Sequence, residues 1–519
     1  MRVENFLRSS ALRTPQKTAL VAGRARLGYG DLDLMSDRLA AAFRTRGVAR
    51  GDRVAVFMDN GWEAVVTIFA VLKAGAVFVP INPSTKPEKL AHLLGHCRAA
   101  AIMTQARRVG VAAAALADAP SVRLALVCGD CCVPEAADWL RFEQAIVDTE
   151  DAPPESKSVG AGSDLAMLIY TSGTTGVPKG VMMTHRNVEA AATLVNAYLE
   201  NRADDTILSA LPISFSYGLY QIFMAFMVGA TVVLENSFAF PQAILNRMKE
   251  EQVTGLPLVP TMAALILQMR DLKPGDFPHL RYITNAASPL PPTHIARLQE
   301  LFPAARIFSM YGQTECKRAT YLPPEQLALR PDSVGLAMPG TEAYVVDEAG
   351  QRVGPGIVGE LVVSGPHVMQ GYWENPEATG QALRPGALPG WNVLYTGDLF
   401  RADAEGFLYF VARKDDIIKT RGEKVSPKEV EDVLYALPGV EEAVVFGVPD
   451  PILGMAIKAV VACDPGAPLT SDEVIRHCAR HLEDFMVPKI VEFRTGLPKS
   501  DNGKIVRRQI AELALGAQT

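Results

Sequence analysis

The run Tyr170-Thr-Ser-Gly-Thr-Thr-Gly-Val-Pro-Lys-Gly180 sets the reading of this chain. It concentrates hydroxyls (Thr171, Ser172, Thr174, Thr175), glycines (Gly173, Gly176, Gly180) and one cation, Lys179. Glycine lets backbone N–H groups turn toward a ligand with no side chain in the way. Hydroxyls add donors and the lysine adds a mobile positive charge, a combination that suits a polyphosphate. The apolar run Leu165-Ala-Met-Leu-Ile169 before it predicts a buried strand. After it, Val188, Ala191, Ala192, Val195, Tyr198 and Leu199 share one face of a helix predicted over 184–199. Strand, Gly-rich loop and helix form the context that raises a phosphate loop above a solvated Gly/Ser/Thr turn. The loop is not of the Walker type, because Lys179 follows Pro178 and precedes Gly180, where that pattern needs Gly-Lys-Ser/Thr.

Around this stretch lie 519 residues with a net charge of −6 and 49% hydrophobic content, which predict a folded chain of roughly two to four structural units. The charge is too small to make nucleic acid or an anionic membrane the main partner. No stretch reaches about eighteen uninterrupted apolar residues, so no transmembrane segment is expected. Met1-Arg-Val-Glu-Asn-Phe-Leu-Arg8 lacks the apolar core of a signal peptide, and Leu515-Gly-Ala-Gln-Thr519 carries no lipidation or peroxisomal signal. Seven cysteines, sparse and odd in number, fit a reducing compartment, and a cytoplasmic location is expected. Cys128, Cys131 and Cys132 cluster, but no second Cys/His pair at zinc spacing accompanies them, so they read as free thiols.

Upstream, Leu32, Met35, Leu39 and Phe43 mark a helix over 29–47 that stops at Gly47. Strands are predicted over 53–58 and 75–81, with a helix over 62–74 between them. This alternation implies a doubly wound α/β layer with a largely parallel sheet. Residues 107–162, rich in Ala, Asp and Pro, read as a variable connection. Downstream, 206–212 reads as a strand and 213–228 as an apolar, aromatic helix in which Phe223 and Met227 are core residues. Arg281-Tyr-Ile-Thr-Asn-Ala-Ala-Ser-Pro-Leu290 is a strand entering a small-residue turn. It is either an ordinary strand exit or a place where a flat ligand meets the backbone.

Three further motifs follow in order. In Ser309-Met-Tyr-Gly-Gln-Thr-Glu315, Tyr311 can stack on an adenine face, Thr314 can donate to a phosphate, and Glu315 offers a hard oxygen for Mg²⁺. Tyr395-Thr-Gly-Asp398 places a carboxylate at a strand end, suited to ribose hydroxyls. Gly406-Phe-Leu-Tyr-Phe-Val-Ala-Arg-Lys-Asp-Asp416 comes next, and beyond it the composition turns more charged. There Ser426 and Pro427 read as the N-cap and first residue of a helix through Leu434. Strands over 440–448 and 456–462 and a helix over 471–482 complete an α+β unit of about a hundred residues. The last motif, Leu497-Pro-Lys-Ser-Asp-Asn-Gly-Lys504, has a turn at 501–503 that would present Lys504.

The four motifs, in this order and across essentially the whole chain, closely resemble those of the adenylate-forming superfamily of acyl-CoA synthetases, peptide-synthetase adenylation domains and luciferases. The resemblance implies a large N-terminal α/β domain with doubly wound sheets, residues 1–414, and a small mobile C-terminal α+β domain, residues 415–519, hinged at Asp415. It implies an ATP-dependent acid–thiol ligase that forms acyl-AMP and pyrophosphate, then transfers the acyl group to a thiol, coenzyme A above all. Nucleotide binding would fall to Thr171, Ser172, Gly173, Thr174, Thr175, Gly176, Lys179, Ala286, Ala287, Tyr311, Gly312, Gln313, Thr314, Asp398, Arg413 and Lys504. Catalysis would fall to Thr171, Glu315 and Lys504, with Glu315 on Mg²⁺. Lys504, rather than the competing Lys499, has the position of the lysine that reaches the substrate carboxylate and α-phosphate. Arg413 follows Ala412, where the superfamily often has glycine.

The acyl pocket implied by the resemblance comprises Phe215, Ser216, Tyr217, Asn285 and Ala287. Phe215 stands where acyl- and aryl-CoA synthetases often hold a histidine. Ser216 stands where α-amino-acid adenylation domains often hold the aspartate that pairs with the substrate ammonium. A buried ammonium without a carboxylate is costly, so an acid without a charged α-substituent is expected. Phe215, Tyr217, Phe223 and Ala287 suggest an apolar acyl group, aromatic or of medium chain length. Three alternatives stay open at this point. The acceptor could be the phosphopantetheine thiol of a carrier protein acting in trans. The acyl-AMP could feed a monooxygenase, which light emission would reveal. The chain could be a non-catalytic acyl-nucleotide-binding protein, which would release no pyrophosphate with any acid.

Overall fold

The computed structural model describes the chain except residues 132–138, 150–159, 173–177, 270, 287–289, 388–389, 421–422, 451–452, 465, 467–468, 500–504, 508 and 512–519. Two large, mainly parallel sheets dominate. One orders eight strands as Gly371–Tyr372, Pro178–Thr184, Leu165–Ser172, Val77–Pro80, Arg53–Phe57, Ala99–Gln105, Leu124–Cys128 and Trp139–Arg141. The other orders nine, from Leu336–Ala337 and Thr320–Tyr321 through Arg306–Tyr311, Tyr282–Asn285, Gly255–Leu258, Thr206–Ser209, Thr231–Leu234 and Thr18–Ala22 to Ala25–Gly28. The predicted elements between 29 and 81 are present as Tyr29–Thr45, Arg53–Phe57, Trp62–Lys73 and Val77–Pro80. Continuous apolar strands such as Val77-Phe-Val-Pro80 are buried on both faces, as a covered parallel sheet requires.

Aromatic side chains join the two halves. Phe223, on the helix Ser216–Val228, meets Phe78 of the eight-stranded sheet with ring centroids 6.2 Å apart. It also meets Phe6 at 6.4 Å and Phe69 at 6.1 Å, while Phe69 stacks on Phe226 at 5.5 Å. Phe223 is therefore a core residue, as its helical spacing predicts, and its use as a hint to the acyl group is corrected: it is not a wall of an acyl pocket.

Three other expectations change. The Gly-rich loop does not open a helix. Leu165–Ser172 turns back into an antiparallel partner, Pro178–Thr184, with Ile169 opposite Val181 and Thr171 opposite Lys179. Val181 and Met183 alternate into the core, the period-two pattern of a strand. The helix His185–Leu199 starts only afterwards, capped by Thr184, whose hydroxyl accepts the Asn187 N–H at 3.2 Å. Residues 107–149 are also not a bare connection. Their described part folds into the helices Val109–Leu116 and Phe142–Val147, the strand Leu124–Cys128, which is buried throughout, and the edge strand Trp139–Arg141. Finally, a mainly antiparallel sheet built from Glu342–Val346, Gly359–Ser364, Leu383–Pro385, Asn392–Ala402 and Leu408–Arg413 follows the two large sheets.

The C-terminal part is α+β with its own core. Val440–Asp450 pairs antiparallel with Gly454–Cys463, which pairs in parallel with Ile490–Arg494. The helices Pro427–Tyr435 and Ser471–His481 bury Val430, Leu434, Val474 and Cys478 against these strands. Ser426 is the N-cap by position, but its hydroxyl donates to Val411 O at 2.6 Å and so ties this unit to the strand Leu408–Arg413. No described helix is long and apolar enough to cross a membrane.

Candidate active site

Glu315 ends a strand-and-turn segment that stays partly accessible from Tyr311 to Glu315 before Cys316 to Thr320 sink into the core. Its Oε1 accepts the Tyr372 hydroxyl at 2.8 Å, and its carbonyl accepts the Met369 N–H at 2.7 Å. Burial and the neighbouring Glu315 hold the Tyr372 phenol well above its ordinary range, so it remains a donor. Tyr372 arrives there because Gly371–Tyr372 pairs with Pro178–Thr184, with Tyr372 opposite Val181. Lys179, on that same partner strand, holds its Nζ 5.2 Å from the Tyr372 ring centroid. Thr171 and Lys179 are direct cross-strand partners and share a face. The hairpin thus delivers a hydroxyl and a cation to the side where Glu315 carries a carboxylate.

Asp398 gathers a second group. It is 4% exposed. Oδ2 accepts the Tyr311 hydroxyl at 2.6 Å and the Gln313 Nε2 at 2.8 Å. Gln313 also donates to Thr396 O at 2.9 Å. On the other oxygen, Arg413 Nε lies 3.4 Å from Oδ1, and the two residues are opposite partners in the ladder between Asn392–Ala402 and Leu408–Arg413. Arg413 is half exposed, so its guanidinium can also meet a ligand. Burial first, then Asp398, raise the Tyr311 phenol well above its ordinary range and keep its proton in place. A nearly buried carboxylate steadied by two neutral donors, with an accessible arginine beside it, suits a vicinal diol next to phosphate.

The helix Ser216–Val228 opens toward a third region. Phe215 is its N-cap, and Phe215, Ser216 and Tyr217 are all half-buried. Gly218 lets the helix start tight against the preceding turn, since a Cβ there would lie 2.5 Å from Pro212 O. Tyr217 Oη bonds Thr284 Oγ1 at 2.8 Å and donates to Thr284 O at 2.9 Å, which places it against the strand leading to Asn285 and Ala286. Burial pushes the Tyr217 phenol up to about 12. Lys317 Nζ donates to Ser216 O at 3.2 Å, and burial, with Arg318 next, holds its ammonium well below the usual lysine range.

The structure thus brings Tyr311 and Gln313 to Asp398 and Arg413, and Lys179 to Glu315 through Tyr372. Gly173, Thr174, Thr175, Gly176, Ala287 and Lys504 lie outside the described residues, as does the side chain of Ser172. Asp415 sits in the exposed turn between Leu408–Arg413 and Ile418–Thr420, just past Lys414, whose N–H donates to Gly397 O at 2.9 Å. Lys499 is engaged within the C-terminal part by an ion pair to Glu442. Sequence reasoning missed Tyr372, which reaches Glu315 only by strand pairing. It also passed over Lys317 and Arg318, two cations in an otherwise apolar stretch directly after the Glu315 motif. Among the described residues, no group of three His, Cys, Asp or Glu side chains is placed to hold a metal ion. Described Cys128 and Cys131 are free thiols, while Cys132 lies outside the described residues.

The model of the AMP-binding enzyme family matches residues 7–373, and that of the AMP-binding enzyme C-terminal domain matches residues 429–504. The chain is similar to a feruloyl-CoA synthase of Amycolatopsis sp, 34% identical over 502 residues that cover 96% of each protein. It is likewise 34% identical to a long-chain-fatty-acid–CoA ligase of Salmonella typhimurium, over 91% of this chain and 87% of that one. Among solved structures, the anthranilate CoA ligase AuaEII in complex with anthranoyl-AMP superposes with a TM-score of 0.90 at 27% identity, over 99% of this chain and 98% of that one.

Proposed function

Because the chain belongs to the AMP-binding enzyme family, we infer that it joins a carboxylic acid to coenzyme A through an acyl-AMP. In the first step an oxygen of the acid attacks the α-phosphorus of ATP, and the bond to the β-phosphate breaks to release pyrophosphate. In the second, the thiol sulfur attacks the acyl carbon and AMP leaves. The relatives named above are ligases of free coenzyme A, which supports that acceptor over a carrier-protein thiol.

The observation that carries the reading is the convergence on Asp398 of Tyr311 and Gln313, from one segment, and of Arg413, from the neighbouring strand Leu408–Arg413. These four residues would hold the ribose and its phosphate. Thr171 and Lys179, with the loop between them, would bind the departing phosphates. Glu315 has one oxygen committed to Tyr372 and, among the described residues, no partner on the other, which fits Mg²⁺, a cation that takes few protein ligands beside phosphate oxygens. Such an ion would supply positive charge where pyrophosphate leaves. Little covalent chemistry falls to the protein, which positions the reactants and stabilises developing charge. Lys504 would serve the adenylation step from a C-terminal domain, residues 415–519, that turns about Asp415.

The acid would be one without an α-ammonium group. Ser216 offers no carboxylate, and its carbonyl already takes the Lys317 ammonium. The six described cysteines are all free, which supports a cytoplasmic setting. The reading is tested by incubating the protein with ATP, Mg²⁺, free coenzyme A and candidate acids. AMP and acyl-CoA should form in equal amounts; formation of ADP, or no consumption of the thiol with any acid, would contradict it.

A further inference from the structure

Three lysines are buried in the described chain, and two of them are neutralised by acids. Lys73 Nζ meets Asp33 Oδ1 at 2.6 Å and Asp37 Oδ1 at 2.9 Å, and Lys458 Nζ meets Glu492 Oε2 at 2.8 Å. Lys317 is the exception. It is 4% exposed, and no described carboxylate lies within ion-pair range of it. Its Nζ donates to Ser216 O at 3.2 Å and sits 4.7 Å from the ring centroid of Tyr220 and 5.2 Å from that of Tyr217. The next residue, Arg318, is 3% exposed, lies over the Tyr217 ring at 5.2 Å, and among the described residues has neither a hydrogen-bond partner for its buried Nε nor a carboxylate in ion-pair range. Two adjacent buried basic groups with no described counter-charge are costly, and aromatic faces and one carbonyl offset only part of that cost. An amino group offers two donors when neutral and three when protonated, and among the described residues one of them is used.

The backbone holds this arrangement in place. Lys317 adopts a left-handed conformation, φ +56°, rarely taken by a side-chain-bearing residue. Gly312, in the motif that carries Glu315, packs against it so closely that a Cβ would lie 2.3 Å from Lys317 O. The cation is thus fixed beside Ser216 and Tyr217, two residues along the chain from Glu315.

We propose that Lys317 selects the acid, by receiving an oxygen acceptor that the acyl group carries away from its reacting carboxylate: a hydroxyl or a second carboxylate. The proposal rests on the reading that Ser216 and Tyr217 line the acyl pocket. An acceptor oxygen there completes the lysine's hydrogen bonds, whereas a plain hydrocarbon leaves them unmet. A site built to hydrogen-bond a substrate group rejects the analogue lacking it far more strongly than a pocket rejects a missing methylene.

The test is ATP–pyrophosphate exchange with aryl and medium-chain acids, each offered plain, hydroxylated and carboxylated. The wild type should favour an oxygen-bearing acid over its plain counterpart by at least about 100-fold in kcat/KM. Lys317→Met should bring that ratio within about tenfold. Lys317→Gln, a neutral donor, should keep a preference for a hydroxyl and lose one for a carboxylate, which tells the two acceptors apart. Equal or greater activity of the wild type on plain acids would overturn the proposal without recourse to any variant, as would an unchanged ratio in folded Lys317→Met. Exchange with plain acids alone leaves the ligase reading standing, whereas silence with every acid in protein that still binds ATP overturns both.

Discussion

Tyr372 donates its hydroxyl to Glu315 Oε1 at 2.8 Å, and the same ring lies 5.2 Å from Lys179 Nζ. One aromatic side chain therefore joins the hairpin that carries the Gly-rich loop to the carboxylate of the Tyr-Gly-Gln-Thr-Glu motif. The hydroxyl orients the acid, and the face of the ring steadies the cation.

Tyr372→Phe keeps the ring and removes the hydroxyl. A hydrogen bond to a charged group contributes about 1.5–3 kcal/mol, so adenylation should slow by roughly tenfold to a hundredfold. The Mg²⁺ concentration giving half-maximal exchange should rise, because Glu315 loses its orienting donor. Titration of Mg²⁺ at saturating ATP checks this, and an unchanged midpoint would separate Glu315 from the metal.

Asp398→Asn removes the charge that Tyr311 and Gln313 steady. ATP should lose kcat/KM by about tenfold or more, as for a charge-assisted hydrogen bond. The variant should also discriminate less between ATP and its 2′- and 3′-deoxy analogues. Competition between those nucleotides measures it. Preserved discrimination would remove Asp398 from the ribose.

Lys504→Ala should slow adenylation by about 10²–10³-fold, the usual loss for a donor acting on developing charge, and affect thioester formation from preformed acyl-AMP much less. Asp415→Pro should do the reverse, since restricting the turn spares the first half-reaction and hinders the second. Separate assays of the two half-reactions decide both. Equal losses in each would contradict the domain rotation.

His185 makes stability sensitive to acid. Its Nδ1 accepts the Val3 N–H at 3.1 Å, which requires a neutral ring, and burial, with Arg2 next, pushes its titration down to about 3. The unfolded chain binds this proton near the ordinary value of about 6.5. The contribution is therefore fully present above about pH 6.5 and is lost as pH falls toward 3, on the order of 2–3 kcal/mol by pH 4.5. His185→Asn keeps an acceptor for Val3 and removes the titration. Its melting temperature should fall less than the wild type's between pH 7.5 and 4.5, and parallel falls would contradict the assignment.

How much of this could be read from the chain follows the range of the interactions involved. Helix-strand alternation from 29 to 81 is a local pattern, and the parallel sheet followed from it. The loop motif was legible as chemistry but misjudged as geometry. Val181, Met182 and Met183 form so short an apolar run between Gly180 and the cap at Thr184 that periodicity could not separate strand from helix lead-in. Asp398 and Arg413 were legible from motif order, whereas the clasp of Asp398 by Gln313 depends on sheets packing together. Tyr372 lies fifty-seven residues from Glu315 and meets it by antiparallel pairing, which no local spacing announces. Lys317 could be seen as a cation in apolar surroundings, but its lack of an acid partner among the described residues is a tertiary fact.

The most direct measurement is ATP–pyrophosphate exchange by the wild-type protein across short, medium and long fatty acids, aryl acids and α-amino acids. Exchange with an acid lacking an α-ammonium group is the predicted result. Exchange confined to α-amino acids would contradict the reading of Ser216, and no exchange with any acid would contradict adenylation itself.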